Sequence, residues 1–149
     1  MLSAATSVIG TSGDQAVGEA VRAVEILAPI PDDFRLESGD RLGQRQVRAR
    51  IHGPEGAPVV VVAGGISSGR CPYRTLDGGP GWWAEVVRPS GPVDLDRLQV
   101  LAFDFAPEGE TDPLTLTTQD QARLLALVLD HTGIDRAATF IGSSYGGMV

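Results

Sequence analysis

Between residues 46 and 52 the chain reads QVRARIH, in which Val47, Ala49 and Ile51 alternate with Arg48, Arg50 and His52. A period of two puts successive side chains on opposite faces of a strand, so the stretch predicts a strand with one face in a core and one in water. FRLES and a turn at Gly39 and Asp40 precede it, which together predict an antiparallel hairpin from Phe34 onward. Pro58 then introduces a different pattern. Val59 to Val62 are four valines in a row, as in a parallel strand buried on both faces, and QVLAFDF at 99–105 is a second run of that kind. The crossover between them, with GGPGWW and PSGP, is rich in turn formers and predicts loop with at most a short helix. Thr118 and Gln121 form a capping box, Leu124, Leu125, Val128 and Leu129 make a helical stripe, and Gly133 closes the helix. AATFI at 137–141 predicts a third buried strand. Upstream, residues 1–33 are weakly patterned: Asp14 to Leu27 fits a helix interrupted at Gly18 and closed by Pro29 and Pro31.

Strand, crossover, strand, helix, strand is the order of right-handed α/β winding around a mostly parallel sheet. With 149 residues, 42% of them hydrophobic, the chain has the size and composition of one soluble globular unit. Its formal charge of −7 argues against a nucleic-acid surface, and no apolar run is long enough for a membrane span. All twelve basic residues are Arg, which excludes Schiff-base and Walker-type lysines. Cys71 is alone and the start, MLSAATSVIGTSGD, has no secretory pattern, so the expected compartment is the cytoplasm. No bound cofactor or metal is expected.

Candidate chemistry sits at the end of the chain. Gly142, Ser143, Ser144, Tyr145 and Gly146 spell GxSxG, the pattern that mounts a nucleophilic serine on a strained strand-to-helix turn. Gly65 to Gly69 (GISSG) match the same pattern and nominate Ser67 instead. Such a nucleophile needs a helix directly after the turn, whose amides and dipole stabilise negative charge. Ser67 is followed by Arg70, Cys71, Pro72 and Tyr73, whereas Ser144 follows a strand that itself follows a capped helix; context favours Ser144. The oxyanion hole of this geometry takes one amide from the residue after the nucleophile and one from the loop after an earlier strand, here Tyr145 and Ile66. The alternative for GGISSG is a plain β-turn.

VVVVAGGISS, GPGWWAEVV, DLDRLQVLAFDF, TTQDQARLLALVLDHTGI and FIGSSYGGM together resemble the homoserine O-acyltransferases of the α/β-hydrolase fold. The GWW segment and its Leu-Asp-x-x-Arg approach to the next strand carry the most family-specific likeness. The resemblance runs from about residue 34 to 149. It implies acyl transfer from acetyl-CoA or succinyl-CoA, as co-substrate, to the hydroxyl of homoserine, by a ping-pong route through an acyl-serine at Ser144, in methionine biosynthesis. The elbow looks closer to the succinyl-using branch. Arg70, beside the oxyanion loop, has two readings, a contact to CoA phosphate or a solvated arginine. GxSxG is shared by all α/β hydrolases, so a serine esterase is an alternative; GWW and the lack of an HG start to the oxyanion loop favour the transferase.

In this fold the Asp and His of the triad follow the serine. Here only Gly147, Met148 and Val149 follow, and both histidines, His52 and His131, precede it. His52 is expected on the wet face of a strand and His131 in the last turn of a helix. The expectation is therefore a weakly patterned segment at 1–33 followed by an incomplete N-terminal half of an α/β-hydrolase domain at 34–149. Such a chain would be a fragment or one part of a split enzyme, completed by a second polypeptide, and inactive alone; a complementary C-terminal half or a homodimer is the expected partner. Its last strand would be left as an open apolar edge.

Overall fold

The structure is a computed structural model that describes residues 20–108 and 114–149. Its main sheet has five strands: β1 (Ala23–Pro29), β2 (Gln46–His52), β3 (Val59–Ala63), β6 (Gln99–Phe103) and β7 (Thr139–Gly142). They lie in the order β1-β2-β6-β3-β7. β1 pairs antiparallel with β2 and β2 with β6, whereas β6, β3 and β7 are parallel. A minor parallel pair, β4 (Val87–Arg88) and β5 (Val93–Asp94), and a helix, α1 (Thr118–Thr132), complete the elements before a 3-10 turn at Ser144–Gly147. This is a partial α/β-hydrolase fold, as the family resemblance implies, and its parallel part follows the α/β winding that the element order predicts.

Side-chain alternation divides the core between the two faces of the sheet. Val59 and Val61 join Val47, Ala49, Ile51, Leu101 and Phe103 on the face that α1 covers with Leu124, Leu125 and Val128. Val60 and Val62 face the other way, onto Val100, Ala102, Val87 and Val93, where the crossover packs Trp82 and Trp83. All five residues of β3 and all five of β6 are buried, in agreement with their continuous apolar runs.

Four local expectations are corrected. The partner of β2 is residues 23–29 and not FRLES: Leu27 pairs with Arg48 and Ala28 with Val47, while 34–40 folds into turns closed by Leu36 N–H to Asp40 O at 3.0 Å. The helix expected from Asp14 to Leu27 gives way to strand from Ala23 to Leu27, because Ile26 and Ala28, two apart, reach the core together; residues 14–19 lie outside the described residues. The crossover is mostly turns and loop, as expected, with two short strands and no helix among the described residues. AATFI is not buried: β7 is the sheet's edge strand and Phe140 is 41% exposed. That it forms an open edge does agree with expectation.

The fourth correction is the helix cap. Thr117, not Thr118, is the N-cap, and it exchanges hydrogen bonds with Asp120. Gln121 is thereby released for another task. It is buried, its Oε1 accepts the Ala106 N–H at 3.0 Å, and its Nε2 donates to the Ala106 carbonyl at 2.6 Å. One amide side chain thus satisfies both backbone groups of Ala106 and pins the loop after β6 to α1. A Gln121→Leu substitution leaves both backbone groups of Ala106 unpaired in a buried place, which costs about 3 kcal/mol. Urea unfolding of the variant should show that loss at an unchanged m-value.

Candidate functional site

Parallel pairing brings the C-terminal ends of β3, β6 and β7 to one end of the sheet, with Ala63 opposite Gly142. There β7 turns sharply. Ser143 N–H still donates to the Ala63 carbonyl at 2.9 Å, and the next residue, Ser144, takes φ +54°. A non-glycine residue in that region costs about 1–2 kcal/mol. The 3-10 turn then begins, its Gly146 N–H donating to the Gly64 carbonyl at 2.8 Å. This bond ties the elbow to the loop after β3.

The two outer glycines of the motif have steric reasons. A Cβ on Gly146 would meet the Ala63 carbonyl oxygen at 2.3 Å, and one on Gly142 would meet the Gly146 carbonyl oxygen at 2.4 Å. Ser144 itself is exposed. Tyr145 packs its ring edge-on against Phe105, centroids 5.0 Å apart, so the loops after β6 and β7 touch. Ser67 has no comparable geometry. It lies in a turn closed by Ser68 N–H to Gly65 O at 2.8 Å, without positive φ and with no helix after it. Beside that turn is a cleft of about 340 Å³ lined by Arg48, Ile66, Ser67, Asp104, Phe105 and Glu108. Neither the Ile66 nor the Tyr145 N–H donates a hydrogen bond among the described residues.

Arg70 is neither in bulk water nor without countercharge. Its backbone N–H donates to Asp104 Oδ1 at 2.8 Å, its Nη1 to Asp104 Oδ2 at 2.5 Å, and its Nε to Glu25. Burial works against the charge, but the hydrogen bonds and charges of Glu25 and Asp104 outweigh it and hold the guanidinium pKa above its ordinary value. Asp104 and Glu25 had no motif to announce them. Glu25 meets Arg70 across forty-five residues of sequence, and only the β1–β2 pairing brings it there.

The histidines are at the wrong end. His52 pairs with Val100, near the start of β6, and lies three strands from β7, about 14 Å across the sheet. His131 is in the last turn of α1, a helix that returns the chain to the start of β7, so it too lies away from the elbow. His52 is not on a wet face: it is 1% exposed, its ring edge-on to Tyr73 at 6.0 Å, because the crossover covers that end of the sheet. Among the described residues, neither ring nitrogen has a hydrogen-bond partner. Among the described residues there is no His/Cys/Asp/Glu cluster suited to a metal and no helix long and apolar enough to cross a membrane.

A mixed sheet whose parallel part ends in a strained serine turn defines the class as α/β hydrolase. No family model matches the chain. Over 110 residues it is 39% identical to the homoserine O-succinyltransferase of Xanthomonas campestris pv. campestris, covering 72% of this chain and 30% of that protein. Over 139 residues it is 30% identical to the homoserine O-acetyltransferase of Geobacter sulfurreducens, covering 78% and 38%. The crystal structure of homoserine O-acetyltransferase from Staphylococcus aureus superposes with a TM-score of 0.66 at 28% identity, over 86% of this chain and 40% of that one. By sequence and by fold, the chain matches homoserine O-acyltransferases over most of its own length, and it spans about a third of the length of the curated relatives.

Burial, and secondarily the Arg50 charge, lowers the His52 pKa from 6.5 to about 4. The unfolded chain therefore binds this proton first as pH falls, and His52 contributes stability that is complete above about pH 6.5 and lost toward pH 4. Between about pH 7.5 and 5 the loss is about 2 kcal/mol. Denaturant midpoints measured across that range should fall in the wild type and stay flat in His52→Phe.

Proposed function

We propose that this chain carries the nucleophile of an acyl-CoA:homoserine O-acyltransferase and that Ser144 is the residue acylated. The observation that carries the reading is the positive φ of Ser144 at the end of a parallel strand, between two glycines that cannot bear a side chain. Such strain persists where surrounding structure enforces it, and it projects the serine outward from the sheet.

The chemistry follows from the groups at that end. Ser144 Oγ attacks the thioester carbonyl of acetyl-CoA or succinyl-CoA, and the carbonyl oxygen takes the negative charge between the Ile66 and Tyr145 amides. The C–S bond breaks and CoA leaves as the thiol, with the proton that a base removed from the serine hydroxyl. In the second half the homoserine hydroxyl attacks the acyl-serine, gives up its proton to the same base, and leaves as the ester while Ser144 is regenerated. Neither histidine of this chain reaches the elbow, so the base and its carboxylate partner come from outside the described residues: a C-terminal half, or a second polypeptide that completes the site. Relatives of both donor types support the acyltransferase reading, and the cytoplasm is the compartment where acyl-CoA is available. The Asp104 and Glu25 contacts leave Arg70 little free charge for a CoA phosphate.

Incubated with acetyl-CoA or succinyl-CoA and homoserine, the 149-residue chain should release no more CoA than its Ser144→Ala variant. Addition of the C-terminal part of the Xanthomonas relative should give CoA release that requires both homoserine and Ser144. Release that ignores homoserine would assign an esterase, and turnover by the chain alone would contradict the need for an outside base.

A further inference from the structure

The loop from Gly64 to Arg70 is held at both ends. At its start the Gly64 carbonyl accepts the elbow's Gly146 N–H at 2.8 Å. At its end the Trp82 indole N–H donates to the Gly69 carbonyl at 2.8 Å, and the Arg70 N–H donates to Asp104 Oδ1 at 2.8 Å. A Cβ on Gly69 would come within 2.7 Å of that same carboxylate oxygen, so Asp104 lies flat against the loop's backbone. Asp104 is itself fixed by the sheet, because it directly follows β6 and its N–H donates to the Arg48 carbonyl at 2.8 Å.

The cluster is internally neutral. Arg70 bridges Asp104 and Glu25, and Arg50 approaches the other oxygen of Glu25 at 3.9 Å, which makes two cations and two anions. Arg70 is 14% exposed and Asp104 19% exposed. At that degree of burial the pairing is screened far less than a surface ion pair, and removing one partner strands the other's charge. Between the two anchors stands the Gly65–Ser68 turn, with Ile66 exposed near its tip and its N–H unengaged among the described residues.

We infer that Asp104, acting through Arg70 with Glu25 behind it, is a positioning residue that sets the direction of the Ile66 N–H and so the geometry of the oxyanion hole. The inference rests on the reading of Ile66 as an oxyanion donor. It also gives Arg70 a task different from binding an anionic ligand: it is the bolt between a strand end, an N-terminal strand and the loop. Asp104 touches no reacting atom in this scheme.

The test is nuclear magnetic resonance on the ¹⁵N-labelled chain, comparing wild type with Asp104→Ala, Asp104→Asn and Glu25→Gln. Asp104→Ala should change the amide shift and N–H residual dipolar coupling of Ile66 and speed Ser68 amide exchange at least tenfold. Protection in β3 and α1 should stay as it was. Asp104→Asn, which keeps an oxygen for the Arg70 N–H, should restore the Ile66 coupling most of the way. If Asp104→Ala unfolds, Asp104→Asn and Glu25→Gln provide the same comparison through smaller changes confined to 65–70. An Ile66 coupling that stays at its wild-type value while the Arg70 amide loses protection would overturn the inference. These readouts do not involve Ser144, so failure of Ser144 as the nucleophile, seen in acyl transfer, would be recognised separately.

Discussion

The backbone of Gly146 lies against the end of β3 so closely that no side chain fits between them, and the geometry of the whole functional end depends on that contact. The chain leaves β7, must double back at once, and is stitched to β3 on both sides of the turn, by Ser143 N–H to Ala63 O and Gly146 N–H to Gly64 O. With both sides fixed, Ser144 is left with a backbone conformation that side chains avoid. The same stitch sets where the loop after β3 begins, and therefore where Ile66 and, seven residues on from Ala63, Arg70 are delivered. Strain at the serine and order in the loop after β3 thus have one cause.

The sheet gives the molecule a chemical polarity. At one end are the elbow, the free amides, the cleft and the charge cluster; at the other are His52 and the last turn of α1. An uncharged imidazole enclosed beside Tyr73 serves the core and has no access to a hydroxyl across the sheet. The elbow therefore holds a strained serine, and neither histidine lies near it among the described residues, in a chain that matches about a third of its relatives' length. The open β7 edge lies on the side of the sheet next to the elbow, where further strands would add to the parallel part.

What was legible in the sequence was whatever periodicity and local chemistry fix. The valine run gave β3 because burial on both faces demands an unbroken apolar stretch, and the helix stripe and Gly133 gave α1 and its end. The serine was legible because close backbone approach requires the glycines on either side of it. Illegible were the facts that depend on who covers whom. Alternation put His52 on the arginine face, but only the crossover's path decides that this face is dry there. β1 was hidden because Glu25 and Leu27 interrupt no helical pattern, and its pairing with β2 spans a turn-rich segment. The Arg70 cluster was hidden for the same reason: its three elements meet only once the sheet has formed.

The most direct measurement is a pair of denaturant titrations at the elbow. If Ser144 is held in a strained backbone by the Gly146–Ala63 contact, Ser144→Gly relieves about 1–2 kcal/mol of strain against about 0.5–1 kcal/mol of added chain entropy, so the variant should be at least as stable as the wild type. Gly146→Ala, which drives a methyl into the end of β3, should lose about 2 kcal/mol or more. A clearly destabilised Ser144→Gly together with a tolerated Gly146→Ala would contradict the strained elbow on which the account stands.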